Sequence, residues 1–196
     1  MKRFLLAAAV LATASPAAAQ QQSQSYKFLQ AVKDGKGDEV TKILEQPGQR
    51  IINTRDVTTG DGALHLVIRR GDETYLRYLL SRGADPNLRN GKGDTPLLLA
   101  IQFGQNALVD TLLLVKANPN LANSAGETPL IRAVQRRDLA LVRALITAGA
   151  DPDMTDNVAG MSARDYAHAD SRSPAIAKLI DEKPKSAPRA VAGPKM

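Results

Sequence analysis

Two histidines, scattered carboxylates and no cysteine are the side chains from which a reaction centre or metal site would have to be built. His168 stands three residues after Asp165 and six after Ser162. That set could share a metal ion between imidazole and carboxylate or, with the serine as nucleophile, hydrolyse an ester or amide. A metal site needs a further ligand and a hydrolase needs an oxyanion element, and the neighbouring sequence offers neither. Asp151-Pro152-Asp153-Met154-Thr155-Asp156 has carboxylates at the spacing of a calcium loop. Proline at its second place, no glycine at the sixth and no glutamate at the twelfth argue against calcium. The sequence therefore points to no catalytic residue, no metal and no cofactor. What remains for function is surface, held by a regular scaffold.

The scaffold shows in two ladders. Gly93-Asp94-Thr95-Pro96-Leu97-Leu98-Leu99-Ala100-Ile101 returns 33 residues later as Gly126-Glu127-Thr128-Pro129-Leu130-Ile131-Arg132-Ala133-Val134, and Gly60-Asp61-Gly62-Ala63-Leu64-His65-Leu66-Val67-Ile68 precedes it by the same interval. Ala84-Asp85-Pro86-Asn87, Ala117-Asn118-Pro119-Asn120 and Ala150-Asp151-Pro152-Asp153 keep the same period. A fixed period of this size means stacked helical or strand units, none of which can bury its apolar face alone. Thr95 and Thr128 can accept the free amides of a helix start, and Pro96 and Pro129 suit the first helical position, where a missing N–H costs nothing. Gly71 and Gly104 end the first helix in two copies. The second helices follow with Leu76, Leu79 and Leu80, then Val109, Leu112 and Leu113, then Val142, Leu145 and Ile146, each set on one helical face. Gly83 and Gly149 stop them in the left-handed conformation, and Lys116 stands at the equivalent place in the middle copy.

Helix, turn, antiparallel helix and a polar excursion make up the unit, and its letters resemble the ankyrin repeat, Gly-x-Thr-Pro-Leu-His-x-Ala-Ala followed by a leucine pair and Gly-Ala-Asp-x-Asn. The resemblance implies an all-α helix-turn-helix solenoid with projecting β-turn or hairpin fingers. It covers repeats at 57–90, 91–123 and 124–156, between an N-terminal cap at 25–56 and a C-terminal cap at 157–182. It also implies that His65, at the motif histidine, hydrogen-bonds between neighbouring loops, and that Asp165 replaces that histidine in the last cap. In the first cap Tyr26, Phe28, Leu29, Ala31 and Val32 are expected to face inward, with Gly35 and Gly37 in the turn.

Lys2 and Arg3, the apolar run from Phe4 to Ala14 and Ala17-Ala18-Ala19 have the layout of a secretory signal peptide over residues 1–19, cleaved after Ala19. The run is too short to span a bilayer, so the mature chain is expected in the periplasm or secreted, with no stable membrane insertion. The formal charge of +6 suggests a polyanionic partner. Setting aside the two basic residues of the leader and the four from Lys183 onward, however, leaves 20 basic against 20 acidic residues. Nucleic acid thereby loses its compositional support as a partner. Residues 183–196, with three prolines and little to bury, read as a disordered basic tail.

Family members hold other proteins on the face lined by first-helix ends and fingers. Positions there that the motif leaves free are Arg69 and Arg70, Gln102 and Phe103, and Gln135 and Arg136, with Arg55, Arg89, Lys92 and Glu127 on the fingers. Arg70, Phe103 and Arg136, spaced by 33, should form one line. The expected function is that of a monomeric, non-enzymatic module binding another protein. The alternative is a periplasmic protein that sequesters a small molecule or metal.

Overall fold

The computed structural model describes residues 16–46 and 51–184, with side chains from residue 24 onward. The first 15 residues of the expected leader, the turn at 47–50 and the tail from 185 lie outside the described residues. Ten helices are described, in five antiparallel pairs: α1 (Pro16–Lys33) with α2 (Gly37–Leu44), α3 (Ala63–Arg70) with α4 (Glu73–Ser81), α5 (Pro96–Gln102) with α6 (Asn106–Leu114), α7 (Pro129–Gln135) with α8 (Leu139–Thr147), and α9 (Ala163–Ala169) with α10 (Pro174–Asp181). First helices pack on first helices along the stack, α1 on α3, α3 on α5, α5 on α7 and α7 on α9. A first helix in mid-stack has no solvent side over most of its length, which is why Leu97, Leu98, Leu99, Ala100 and Ile101 are all buried in α5. Fully burying one such leucine is worth about 1.5–3 kcal/mol.

The helix starts form as their residues require. Thr95 Oγ1 accepts the Leu98 amide at 3.2 Å and Thr128 Oγ1 that of Ile131 at 3.2 Å, each followed by proline in the first turn. Asp72 and Asp138 do the same for α4 and α8, taking the amides of Tyr75 and Leu141 at 2.9 and 3.0 Å. A second connection runs between repeats through the Asn that follows each second helix, after Ile52 in the first cap and after proline in the later copies. The Oδ1 atoms of Asn53, Asn87 and Asn120 accept the amides of Asp85, Asn118 and Asp151 at 2.7, 2.8 and 2.8 Å.

Four features depart from the sequence expectation. Tyr26 does not face inward but is 67% exposed, on the side of α1 turned toward the first finger. Gly37 does not sit in the turn but opens α2, leaving Gly35 to take the positive φ of 72°. Helix α1 begins at Pro16, ahead of Ser25, so the peptide bond after Ala19 lies inside it. Alanines small enough for a peptidase to read are also the strongest helix formers. The third copy closes α7 on Arg137, at φ 57°, where Gly71 and Gly104 close α3 and α5, and Lys116 takes φ 60° as expected.

Candidate protein-binding face

Between the second helix of one pair and the first helix of the next, the chain projects a finger, closed as a short hairpin by backbone bonds. Asp56 N–H donates to the Asp61 carbonyl at 2.9 Å, and the same closure recurs from Asn90 to Asp94, Asn123 to Glu127 and Asp156 to Met161. One residue shapes each tip. Asp56 Oδ1 takes the amides of Thr58 and Thr59 at 2.9 and 2.8 Å, and these bonds hold its carboxyl below the ordinary carboxylate range. Asn90 Oδ1 takes those of Lys92 and Asp94, Asn123 Oδ1 those of Ala125 and Glu127, and Asp156 Oδ1 those of Val158, Ala159 and Gly160. Asp156 is likewise held ionised below its usual range, chiefly by the Tyr166 hydroxyl at 2.6 Å.

Neighbouring fingers are tied edge to edge. Gly91 N–H reaches the Thr59 carbonyl at 2.9 Å, Ser124 N–H that of Lys92 at 3.0 Å, and Asn157 N–H that of Ala125 at 2.8 Å. A Cβ on Gly91 would stand 2.7 Å from the Thr59 carbonyl oxygen, so that approach needs glycine. The side-chain amides add a second tie, Asn90 to Asp61 Oδ1 at 2.9 Å and Asn123 to Asp94 Oδ1 at 3.1 Å. His65 belongs to the same system. Its Nδ1 accepts the Gly62 amide at 3.1 Å, which leaves the proton on Nε2 to donate to the Asp94 carbonyl at 3.0 Å. The ring is fully buried, and burial pushes its pKa below the usual histidine value. Gly62 has no side chain to cap α3, and the ring takes the Gly62 amide itself, a different donor from the Leu98 and Ile131 amides that Thr95 and Thr128 accept in the next copies.

This repeated unit of helix pair, finger and Pro-Asn turn agrees with the family comparison. The sequence model described as ankyrin repeats in three copies matches residues 28–123, 64–156 and 100–186. The chain belongs to the ankyrin-repeat family. A search of curated proteins gives no match. Ankyrin repeats are generally protein–protein interaction modules, and the family is typically a non-enzymatic scaffold.

The residues expected to line the ankyrin binding face divide into two groups. Arg70 is not free. Its Nη1 donates to the carbonyls of Val32 and Lys33 at 2.7 and 3.4 Å, its Nη2 meets Asp72 at 3.0 Å, and its guanidinium lies over the Tyr75 ring. It closes the open carbonyl end of α1, as arginine near a helix C-terminus can. Arg136 reaches back in the same way to the Gln102 carbonyl at 3.5 Å, over Gly104. Arg89 bridges fingers, from the Gly93 carbonyl at 3.2 Å to that of Ala122 at 2.6 Å. Glu127 is taken by Arg132 at 2.5 Å and by Asn123. Arg69 pairs with the buried Asp61 at 3.1 Å and lies 5.9 Å from the ring centre of Phe103, which is 48% exposed. Arg55, Lys92, Gln102, Phe103 and Gln135 present exposed surface.

The chemistry-bearing residues do not converge. Asp165 Oδ2 takes both the amide and hydroxyl of Ser162, at 2.9 and 2.6 Å, as a capping box on α9. His168 is exposed and meets Asp181 at 3.1 Å instead. Asp153 is paired with Arg164 at 2.7 Å, and Asp151 accepts the Asp153 amide at 3.0 Å. No group of three or more metal-ligating residues occurs among the described residues. Sequence reasoning missed Asn90 and Asn123 as finger builders, although their spacing of 33 is in plain view.

Proposed function

We propose that this chain is an exported, non-enzymatic binding protein that holds a partner protein in the periplasm through its fingers and first-helix ends. The observation that supports this most is the pairing of rigidity with exposed apolar side chains. The fingers are locked to one another by backbone bonds, yet they carry Val57 at 86% and Val158 at 82% exposure, and Phe103 at the end of α5 is 48% exposed. Apolar side chains held out on a preorganised frame lose little entropy on binding, which favours a macromolecular partner. The partner is a protein rather than nucleic acid, since basic and acidic residues balance between leader and tail. The chain acts as a monomer, without cofactor. No helix of the described residues is long and apolar enough to cross a membrane.

Crosslinking in intact cells, followed by recovery of the tagged chain from the periplasmic fraction, tests the reading. One dominant protein adduct formed through finger or first-helix-end positions is the expected outcome. Adducts confined to the outer side of the second helices would overturn the assigned face. Intact mass of the same material should begin at Gln20, and a retained Met1 would overturn export with cleavage.

A further inference from the structure

The first repeat differs from the other two at the binding face. A cleft of about 730 Å³ opens there between α1, α3 and the first two fingers, within the size range of specific ligand sites. A second hollow of about 200 Å³ between α1 and the first finger shares Tyr26, Leu29 and Asp56 with it. The walls are apolar where Tyr26, Leu29, Val57 and Leu66 meet, and cationic at Lys33, Arg55, Arg69 and Lys92. Two carboxylates share the site, and both are committed. Asp61 is taken by Arg69 and Asn90, and Asp56 shapes its finger tip. Lys33, Arg55 and Lys92 make no close ion pair among the described residues, although Lys33 lies near enough to act on the Asp56 charge. The corresponding places further along are different in kind. Gln102 and Gln135 follow Arg69 in register, Ala125 follows Lys92, and Arg132 is neutralised by Glu127. Cations without a close carboxylate partner are thus gathered around an open apolar hollow at the N-terminal end of the face, whereas Arg136 further along is turned to the Gln102 carbonyl.

We infer that this cleft receives an extended, acidic segment of the partner protein, with a leucine or aromatic side chain against Tyr26, Leu29 and Val57 and carboxylates facing Lys33 and Lys92. The inference rests on the protein-binding reading above. Carboxylates there find cations that already sit beside low-dielectric walls, so attraction is stronger than on an open surface and weakens with salt. The apolar anchor sets the register, and the cations select against basic segments.

Short labelled peptides alternating Glu with Leu or Phe test this by fluorescence anisotropy on the tail-containing mature chain, beside counterparts with Gln or Lys in place of Glu and a plain Glu peptide without the apolar residues. The Glu–Leu/Phe peptide should bind at least tenfold tighter than all three, and less tightly as salt is raised. Lys92→Glu and Tyr26→Ala, both on exposed side chains, should each weaken it at least fivefold with an unchanged melting curve. Equal binding of the Gln counterpart, or of the plain Glu peptide, overturns the inference. So does concentration-dependent self-association lost in Lys92→Glu, which would place a second copy of the chain in the cleft. A photocrosslinker at position 26 and another at Gln135 separate this from the broader reading. A partner protein trapped only from Gln135 leaves the binding face standing and removes the cleft from it.

Discussion

Replacing Lys116 with glycine should stabilise the protein. Lys116 holds φ 60° after α6, where the flanking repeats have Gly83 and Gly149 at 89° and 93°. A residue with a Cβ is disfavoured in that conformation by roughly 1–2 kcal/mol. Glycine relieves this but gains freedom in the unfolded chain, which returns about 0.4–1 kcal/mol. The backbone bonds that close α6, Lys116 N–H to Leu113 at 2.9 Å and Ala117 N–H to Leu112 at 3.0 Å, need no side chain and persist. The lysine is exposed and makes no ion pair among the described residues, so little else is lost. The net gain should be about 0.5–1 kcal/mol, or roughly 1–4 °C in Tm for a domain of this size. Arg137 supplies an internal control. It is equally strained at φ 57°, but its Nε meets Asp170 at 2.5 Å, a contact that offsets part of the relief. Arg137→Gly should therefore gain less than Lys116→Gly, and the difference should vanish in an Asp170→Ala background. Thermal and urea unfolding followed by circular dichroism decide both. A lower Tm for Lys116→Gly would refute the strain argument.

Three further outcomes are expected. Arg164→Ala should destabilise the C-terminal pair by about 2–3 kcal/mol, because a buried guanidinium bonded to Asp153, Asp181 and the carbonyls of Ile180 and Lys183 would leave those acceptors unpaired; urea unfolding or hydrogen exchange in α10 measures it. Arg70→Ala should cost about 1 kcal/mol in a melt by opening the end of α1, so a drop in stability with charge reversal at Arg70 reports the cap rather than a lost partner. His65 is neutral in the fold with its pKa lowered by burial, so below about pH 6.5 the unfolded chain takes up a proton that the folded chain refuses. Stability is then full above that pH and falls as pH drops toward the depressed folded value, by at most about 1.4 kcal/mol per pH unit. His65→Gln should flatten this slope in melts taken from neutral pH down to the onset of carboxylate titration.

Positions governed by local chemistry were legible in the sequence. Thr-Pro at 95–96 and 128–129 begins helices wherever it stands, and the 33-residue period carries the pairing of repeats with it. The binding face was legible only in part, because its free and occupied residues differ in reach rather than in type. Arg69, Arg70 and Arg136 read alike as letters. Arg70 and Arg136 extend across a repeat boundary to a carbonyl, which depends on how far apart successive helices lie. Tyr26 shows the opposite error. Its spacing from Leu29 fits an inward face, but the ring stands at the mouth of the hollow between α1 and the first finger instead of in the core. Arg137 was harder to see than Lys116 because its register glycines, Gly71 and Gly104, lie on one side of it only.

The bonds that tie the fingers also decide how the molecule can bend. Each joins one peptide group to its neighbour's, and a hydrogen bond tolerates only a few tenths of an ångström before weakening. Along the finger edge the stack is therefore nearly inextensible, while its helical layers meet mainly through apolar contacts without direction, with long side-chain ties such as Arg70 to Val32 and Arg137 to Asp170 that yield more readily. Curvature changes then act as rotation about that edge, widening or narrowing the spaces between helix layers while the finger tips keep their spacing. A partner gripping the tips would meet a fixed ruler, and one wedged among the helices would meet a compliant jaw.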